Sequence, residues 1–184
     1  MTTWVALLRG INVGKAKRVA MADLRQVIES LGYTNARTLL NSGNAVFESA
    51  RALRKDAAEE LRDALAGKTG VSSRFILRSG PELAGVVKAN TLVKQASDPA
   101  RLFALFLADA SGMARTENLL KQSWKPEAVA TGPGAIYIWC PNGLLESKAM
   151  DAFGKALGDG VTVRNWATVN KLMALVEKPG QKPA

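Results

Sequence analysis

The apolar positions of this chain fall into short continuous runs that alternate with runs of helical spacing. "TWVALLR" is a continuous apolar run of strand length. Leu24, Val27, Ile28 and Leu31 then recur every three or four residues, as on one face of a helix, and Gly32 supplies the stop. "ARTLL" and "AVFES" read as strands joined by Asn41-Ser42-Gly43-Asn44, which is hairpin-turn chemistry. Leu53, Ala57, Leu61 and Leu65 mark a second helix, and "VSSRFILR" a strand with Arg74 and Arg78 on one face. Ser79 and Glu82 have the spacing of a capping box that opens a short helix. The order then repeats. "RLFALFL" is a strand, a helix runs from about Arg115 to Gln122, and "EAVAT" and "AIYIWC" flank the turn Gly132-Pro133-Gly134. Met150, Phe153 and Leu157 give a helix, "VTVR" a strand, and Val169, Leu172, Met173 and Val176 a last helix.

Each half therefore reads β-α-β-β-α-β-α. The first six elements match the split βαβ pattern, so the pattern predicts an α+β protein built as a tandem duplication of two ferredoxin-like (βαββαβ) units, each followed by an extra helix. In that topology the first and third strands are central, and here those strands are the most uniformly apolar, as strands covered on both faces should be. The expected boundaries are 1–89 for the first repeat, 90–100 for a linker holding Asp98-Pro99, 101–178 for the second repeat, and 179–184 for a frayed tail.

Composition narrows the chemistry. The chain has 184 residues, 47% hydrophobic and 22% charged, which suits a soluble globular protein. No apolar run approaches the roughly 20 residues that span a bilayer, so no membrane association is expected. "MTTWVALLRG" lacks a basic leader, and Cys140 has no second cysteine to pair with. Both features predict a cytoplasmic location. The sequence leaves the oligomeric state open, with a monomer favoured. The absence of histidine removes histidine-based acid–base, nucleophilic and metal-binding chemistry at once. One cysteine cannot build a zinc site, and no cofactor or metal is expected. This inventory points away from an enzyme. A net charge of +9 instead favours anionic partners.

The glycine-and-lysine loop after the first strand imitates a P-loop. However, Gly10 and Gly14 enclose three residues where the Walker motif needs four, and Lys15 is followed by Ala16 in place of Ser or Thr. Topology offers another reading. In a split βαβ unit the exit of strand one and the hairpin between strands two and three lie at one end of the sheet. That places Arg9, Gly10, Asn12, Gly14, Lys15, Lys17 and Arg18 beside Asn41, Ser42 and Asn44. No acidic residue lies between Arg9 and Arg18, and glycines let backbone N–H groups approach an anion. These residues are the candidate ligand site, and no catalytic residue is assigned. The alternative is that the cations coat a solvated loop and the hairpin residues serve only the turn.

"LLRGINVG", "MADLR", "LNSGNAVF" and "VRNWATVNKL" resemble the signature segments of the bacterial "domain of unknown function 1697" family. The resemblance implies paired ferredoxin-like repeats and a cytoplasmic protein. It also implies polar family positions at Arg9, Gly10, Asn12, Gly14, Lys15, Ser42, Gly43, Asn44, Arg164, Asn165, Trp166, Thr168 and Lys171. Among these, Arg164, Asn165 and Lys171 join the candidate ligand site. Asn165 also reads as a helix N-cap and Trp166 as a core packing residue. A cation such as Arg164 beside a helix N-terminus opposes the helix dipole and so suggests a ligand or a carboxylate partner.

Three functions fit the sequence. The preferred one is a non-catalytic binding module for nucleic acid or a phosphorylated small molecule. The second is an enzyme that works without histidine on a small anionic substrate between the two repeats, and the third a structural or protein-interaction module. Phe47, Phe103, Phe106, Tyr137 and Trp139 sit on strands that RNA-recognition folds use for stacking bases. Continuous apolar strands make them core residues instead.

Overall fold

The computed structural model describes residues 1–178, and the expected tail at 179–184 lies outside the described residues. The elements run β1 (Thr2–Leu8), α1 (Met21–Ser30), β2 (Thr34–Leu39), β3 (Asn44–Ser49), α2 (Ala57–Thr69), β4 (Phe75–Ser79) and α3 (Gly80–Ala89). After a 3-10 turn at Thr91–Lys94 come β5 (Leu102–Leu107), α4 (Ser111–Leu120), β6 (Ala128–Gly132) and β7 (Ala135–Trp139). A second 3-10 turn at Leu144–Glu146 leads into α5 (Lys148–Leu157), β8 (Val161–Asn165) and α6 (Trp166–Glu177).

The strands form two four-stranded sheets in the orders β2-β3-β1-β4 and β6-β7-β5-β8. Every neighbouring pair is antiparallel. This is the ferredoxin-like sheet twice, with one helix trailing each copy. The chain is a tandem duplication.

Hydrogen bonds at the exits of the central strands repeat as well. The Leu8 N–H donates to the Gly43 carbonyl at 2.8 Å, and the Leu107 N–H to the Gly134 carbonyl at 3.0 Å. The next residue behaves likewise: Arg9 N–H donates to Arg74 at 3.1 Å and Ala108 N–H to Gly160 at 2.8 Å.

Contacts divide the chain into two compact units: Met1–Leu83 with the chain from Lys171 onward, and Ala84–Asn170. Both division points fall inside trailing helices. In unit one, α1 and α2 cover one sheet face, where Leu24, Ile28, Leu61 and Leu65 pack with Ala6, Leu8 and Phe47. On the other face Val5, Leu7 and Val46 are also fully buried. Val176 of α6 lies 2.8 Å from the place a Cβ on Gly80, the first residue of α3, would occupy. The Arg37 guanidinium also donates to the Lys178 carbonyl at 3.2 Å.

In unit two, Phe153 and Leu157 of α5 pack with Leu105, Leu107, Ile136 and Ile138. The opposite face buries Phe106 and Tyr137. Tyr137 donates its hydroxyl to the Val86 carbonyl of α3 at 2.6 Å, and burial pushes its pKa up to about 12. Covering both faces explains why the central strands carry no polar alternation.

Several local details differ from the sequence reading. The 90–100 segment is built into unit two. Asn90 caps its 3-10 turn, Leu92 is buried, and the Pro99 carbonyl accepts from Trp166 and Ala167 at 3.1 and 3.3 Å. Helix α4 begins earlier than its apolar spacing indicates, because the Asp109 carboxylate accepts the Ser111 N–H at 2.8 Å and starts the turn. Leu53 precedes α2. Arg74 stands exposed just ahead of β4, whereas Arg78 lies within it. Desolvation lowers the Arg78 pKa, partly opposed by Glu82. No helix among the described residues is long and apolar enough to cross a membrane.

Candidate functional site

The two repeats differ most where β1 and β5 leave their sheets. Three residues, 108–110, connect β5 to α4, whereas twelve residues, 9–20, connect β1 to α1. The longer connection carries Arg9, Lys15, Lys17 and Arg18, all exposed. Where unit one has Arg9 and Arg74, the matching backbone positions of unit two hold Ala108 and Gly160. At these two matched positions the duplicated fold thus carries cations on one copy only.

Asn12 organises this loop. Its backbone sits in the left-handed region at φ 55, and its N–H donates to the Lys17 carbonyl at 3.0 Å. The side-chain amide donates to the Val19 carbonyl at 2.9 Å and to the Asn41 carbonyl at 2.7 Å. Its side-chain oxygen accepts from the Val19 N–H at 2.9 Å. One amide therefore closes the loop on itself and ties it to the β2–β3 hairpin. Gly43 lets the hairpin come close. It holds φ +79, and a Cβ there would stand 2.7 Å from the Leu8 Cβ. Asn44 is fully buried and donates to the Leu39 carbonyl and the Ser42 hydroxyl, each at 2.9 Å.

The sequence-derived ligand residues thus divide by role. Asn12 and Asn44 shape the loop and hairpin, and Asn44 is fully buried. Arg9, Gly10, Gly14, Lys15, Lys17, Arg18, Asn41 and Ser42 are the exposed set. Asn12, Arg18, Val19, Ala20, Met21 and Asn41 line a cleft of about 340 Å³. Helix α1 starts at the wall of this cleft with Ala20 as N-cap, and no side chain caps it. Its free N–H groups and the Arg18 guanidinium both favour an anion there. Asp23 is the acidic residue of that first turn, and Lys68 lies 3.7 Å from its carboxylate. Among the described residues, Lys15, Lys17 and Arg18 take part in no ion pair.

Arg74 is a cation of this end that sequence reading did not place there. Phe75, the first residue of β4, pairs with Leu8, the last of β1, and the buried Ser73 hydroxyl donates to the Arg9 carbonyl at 2.8 Å. The split topology itself carries the signal, since β4 must start where β1 ends.

Arg164 and Asn165 belong to unit two, at the other end of their sheet from the β5 exit: Arg164 pairs with Ala104, and Val161 with Leu107. Arg164 is buried and donates to the Thr162 hydroxyl and the Val163 carbonyl, each at 2.8 Å. Desolvation pushes its pKa down to about 10. Asn165 caps α6 by accepting the Thr168 N–H at 2.9 Å. Trp166 is buried edge-on to Tyr137, ring centres 6.1 Å apart, and Lys171 is exposed on α6. The lone thiol, Cys140, is buried, which pushes its pKa up.

No curated protein matches the chain. Among solved structures, it is similar to the conserved bacterial protein SP0830 from Streptococcus pneumoniae, at 26% identity and a TM-score of 0.79. That similarity covers 97% of this chain and 99% of the other. Residues 1–137, which include the whole basic loop and hairpin, match the model described as Protein of unknown function (DUF1697). The chain belongs to the DUF1697 family.

Proposed function

We propose that the protein is a non-catalytic binding module whose ligand carries phosphate, held by the Gly10–Arg18 loop and the Asn41–Asn44 hairpin of unit one. One observation carries this reading: a duplicated fold has a nine-residue longer connection in one copy, and that connection brings the cations. Loops tolerate such insertions without cost to the core, and they are where binding groups collect on a rigid scaffold. The uncapped start of α1 adds backbone donors to the same cleft. Arg164, Asn165 and Lys171 lie outside this loop and hairpin, and the reading does not rest on them. A lone buried thiol suits a reducing compartment, and we place the protein in the cytoplasm.

The test is a calorimetric titration with inorganic pyrophosphate. Lys15→Glu with Lys17→Glu should abolish binding. Lys121→Glu with Lys155→Glu lowers the net charge equally, from +9 to +5, and should retain it. Equal loss in both variants would make the attraction a property of bulk charge, and no binding by the wild type would refute the reading.

A further inference from the structure

We infer that the ligand is duplex nucleic acid, gripped through its phosphates and not read through its bases. This rests on the binding-module reading above and narrows it.

Three observations carry the inference. The first concerns enclosure. Sites for small ligands are concave and bury most of the ligand, yet Arg9, Lys15, Lys17, Arg18 and Arg74 are all exposed. Of these only Arg18 lines the cleft, and such a spread of exposed charges matches an extended polyanion better than a single phosphate group. The second concerns stacking. Single strands are held by aromatic rings as well as by charge. The loop 9–20, the turn 40–43 and the approach to β4 at 71–74 contain no aromatic residue. Their most exposed large apolar side chains are Val13 and Leu40, at 72% and 52%, and neither has a π face. The third closes the usual alternative for this fold. Phe47, Phe106 and Tyr137 are fully buried and Phe103 is 8% exposed, and the half-buried Trp4 and Trp139 do not lie at the β1 exit, where Leu8 pairs with Phe75, so the cations have no stacking surface beside them. What is left is a cluster of cations with backbone donors, which positions a phosphate backbone and carries no base specificity.

Fluorescence anisotropy with labelled short duplexes of two unrelated sequences, the matching single strands, and unlabelled pyrophosphate as competitor tests this. The expected result is binding of both duplexes within about twofold of each other, and tighter than of either strand. Five phosphate contacts should give a log–log salt slope of roughly −4.5, and Lys15→Glu with Lys17→Glu should flatten it by about 1.8. Circular dichroism of the variant, with both changes on exposed loop positions, checks that it is folded. A duplex bound no tighter than its strands, a marked preference between the two sequences, or a slope near −1 would overturn the inference. Pyrophosphate binding without duplex binding would overturn it while leaving the phosphate-module reading intact. Absence of binding by every phosphate probe would overturn both.

Discussion

The side-chain amide of Asn12 donates to the backbone carbonyl of Asn41 at 2.7 Å, joining two segments that are 29 residues apart in the chain. This bond holds the inserted loop against the hairpin. Asn12→Ala removes it together with both bonds to Val19, and also places a residue with a Cβ but no amide at φ 55. We expect a loss of about 1–3 kcal/mol of stability, measured by urea denaturation, and weaker pyrophosphate binding from a loosened loop. Asn12→Gly relieves the backbone and not the bonds, so it should recover only part of the stability.

Gly43 and Gly14 separate a steric demand from a conformational one. Both have positive φ, +79 and +62, but a Cβ at Gly43 would lie within 2.9 Å of the Ile11 side chain, whereas nothing lies within 4 Å at Gly14. Gly14→Ala should therefore cost about 1 kcal/mol in backbone strain alone. Gly43→Ala should cost about 2–4 kcal/mol, because the buried Leu8 and Ile11 must also shift. Thermal melts of the two variants compare them directly. Equal losses would contradict the close approach of hairpin and strand exit.

Burial raises the Tyr137 pKa from 10.0 to about 12. Between those values the unfolded state has lost the phenol proton and the folded state has kept it. The Tyr137 contribution is thus complete below pH 10 and is lost as pH rises toward 12. Tyr137→Phe should cost about 1–3 kcal/mol at neutral pH by leaving the Val86 carbonyl without its donor. It should also fall off less steeply than the wild type above pH 10. Arg164, lowered to about 10, works in the opposite direction, but it is present in both proteins and cancels in their difference. Denaturation of both at a series of alkaline pH values checks the sign.

Ligand binding should be nearly flat between about pH 6 and 8. The chain has no histidine, the side chain that ordinarily changes charge in that window. Titrations with duplex, whose phosphodiesters keep one charge across the window whereas pyrophosphate itself titrates there, check this, and a bell-shaped profile would instead reveal tuned acid and base groups of an enzyme.

Much of the architecture was legible from the chain. Runs such as Leu102–Leu107 and Ala135–Trp139 are apolar at every position because both sheet faces are covered, and the repeated order of elements exposed the duplication. Helix caps such as Ser79 with Glu82 and Asn165 were legible from spacing, and the bonds exist at 2.7 and 2.9 Å. The packing partners of the trailing helices were not legible. A helix pattern identifies an apolar face and not the sheet it covers, so the packing of Val86 with Tyr137 and of Val176 with Gly80 had no local signature. The site was half legible. Its cations and its two loops could be placed by topology, but the pattern cannot tell an asparagine that meets a ligand from one that braces a loop. Asn12 and Asn44 brace. Arg74 was read as a strand residue because a β-branched or aromatic run blurs its own first residue.

The most direct test of the anion site is an amide nitrogen–proton NMR titration of the unmodified protein with inorganic pyrophosphate. The account predicts saturable shifts confined to the amides of Arg9–Ala20, Asn41–Gly43 and Arg74, with the matching exit of unit two, Ala108–Ser111, unmoved. Shifts centred on unit two, or none in the Gly10–Arg18 loop, would contradict it.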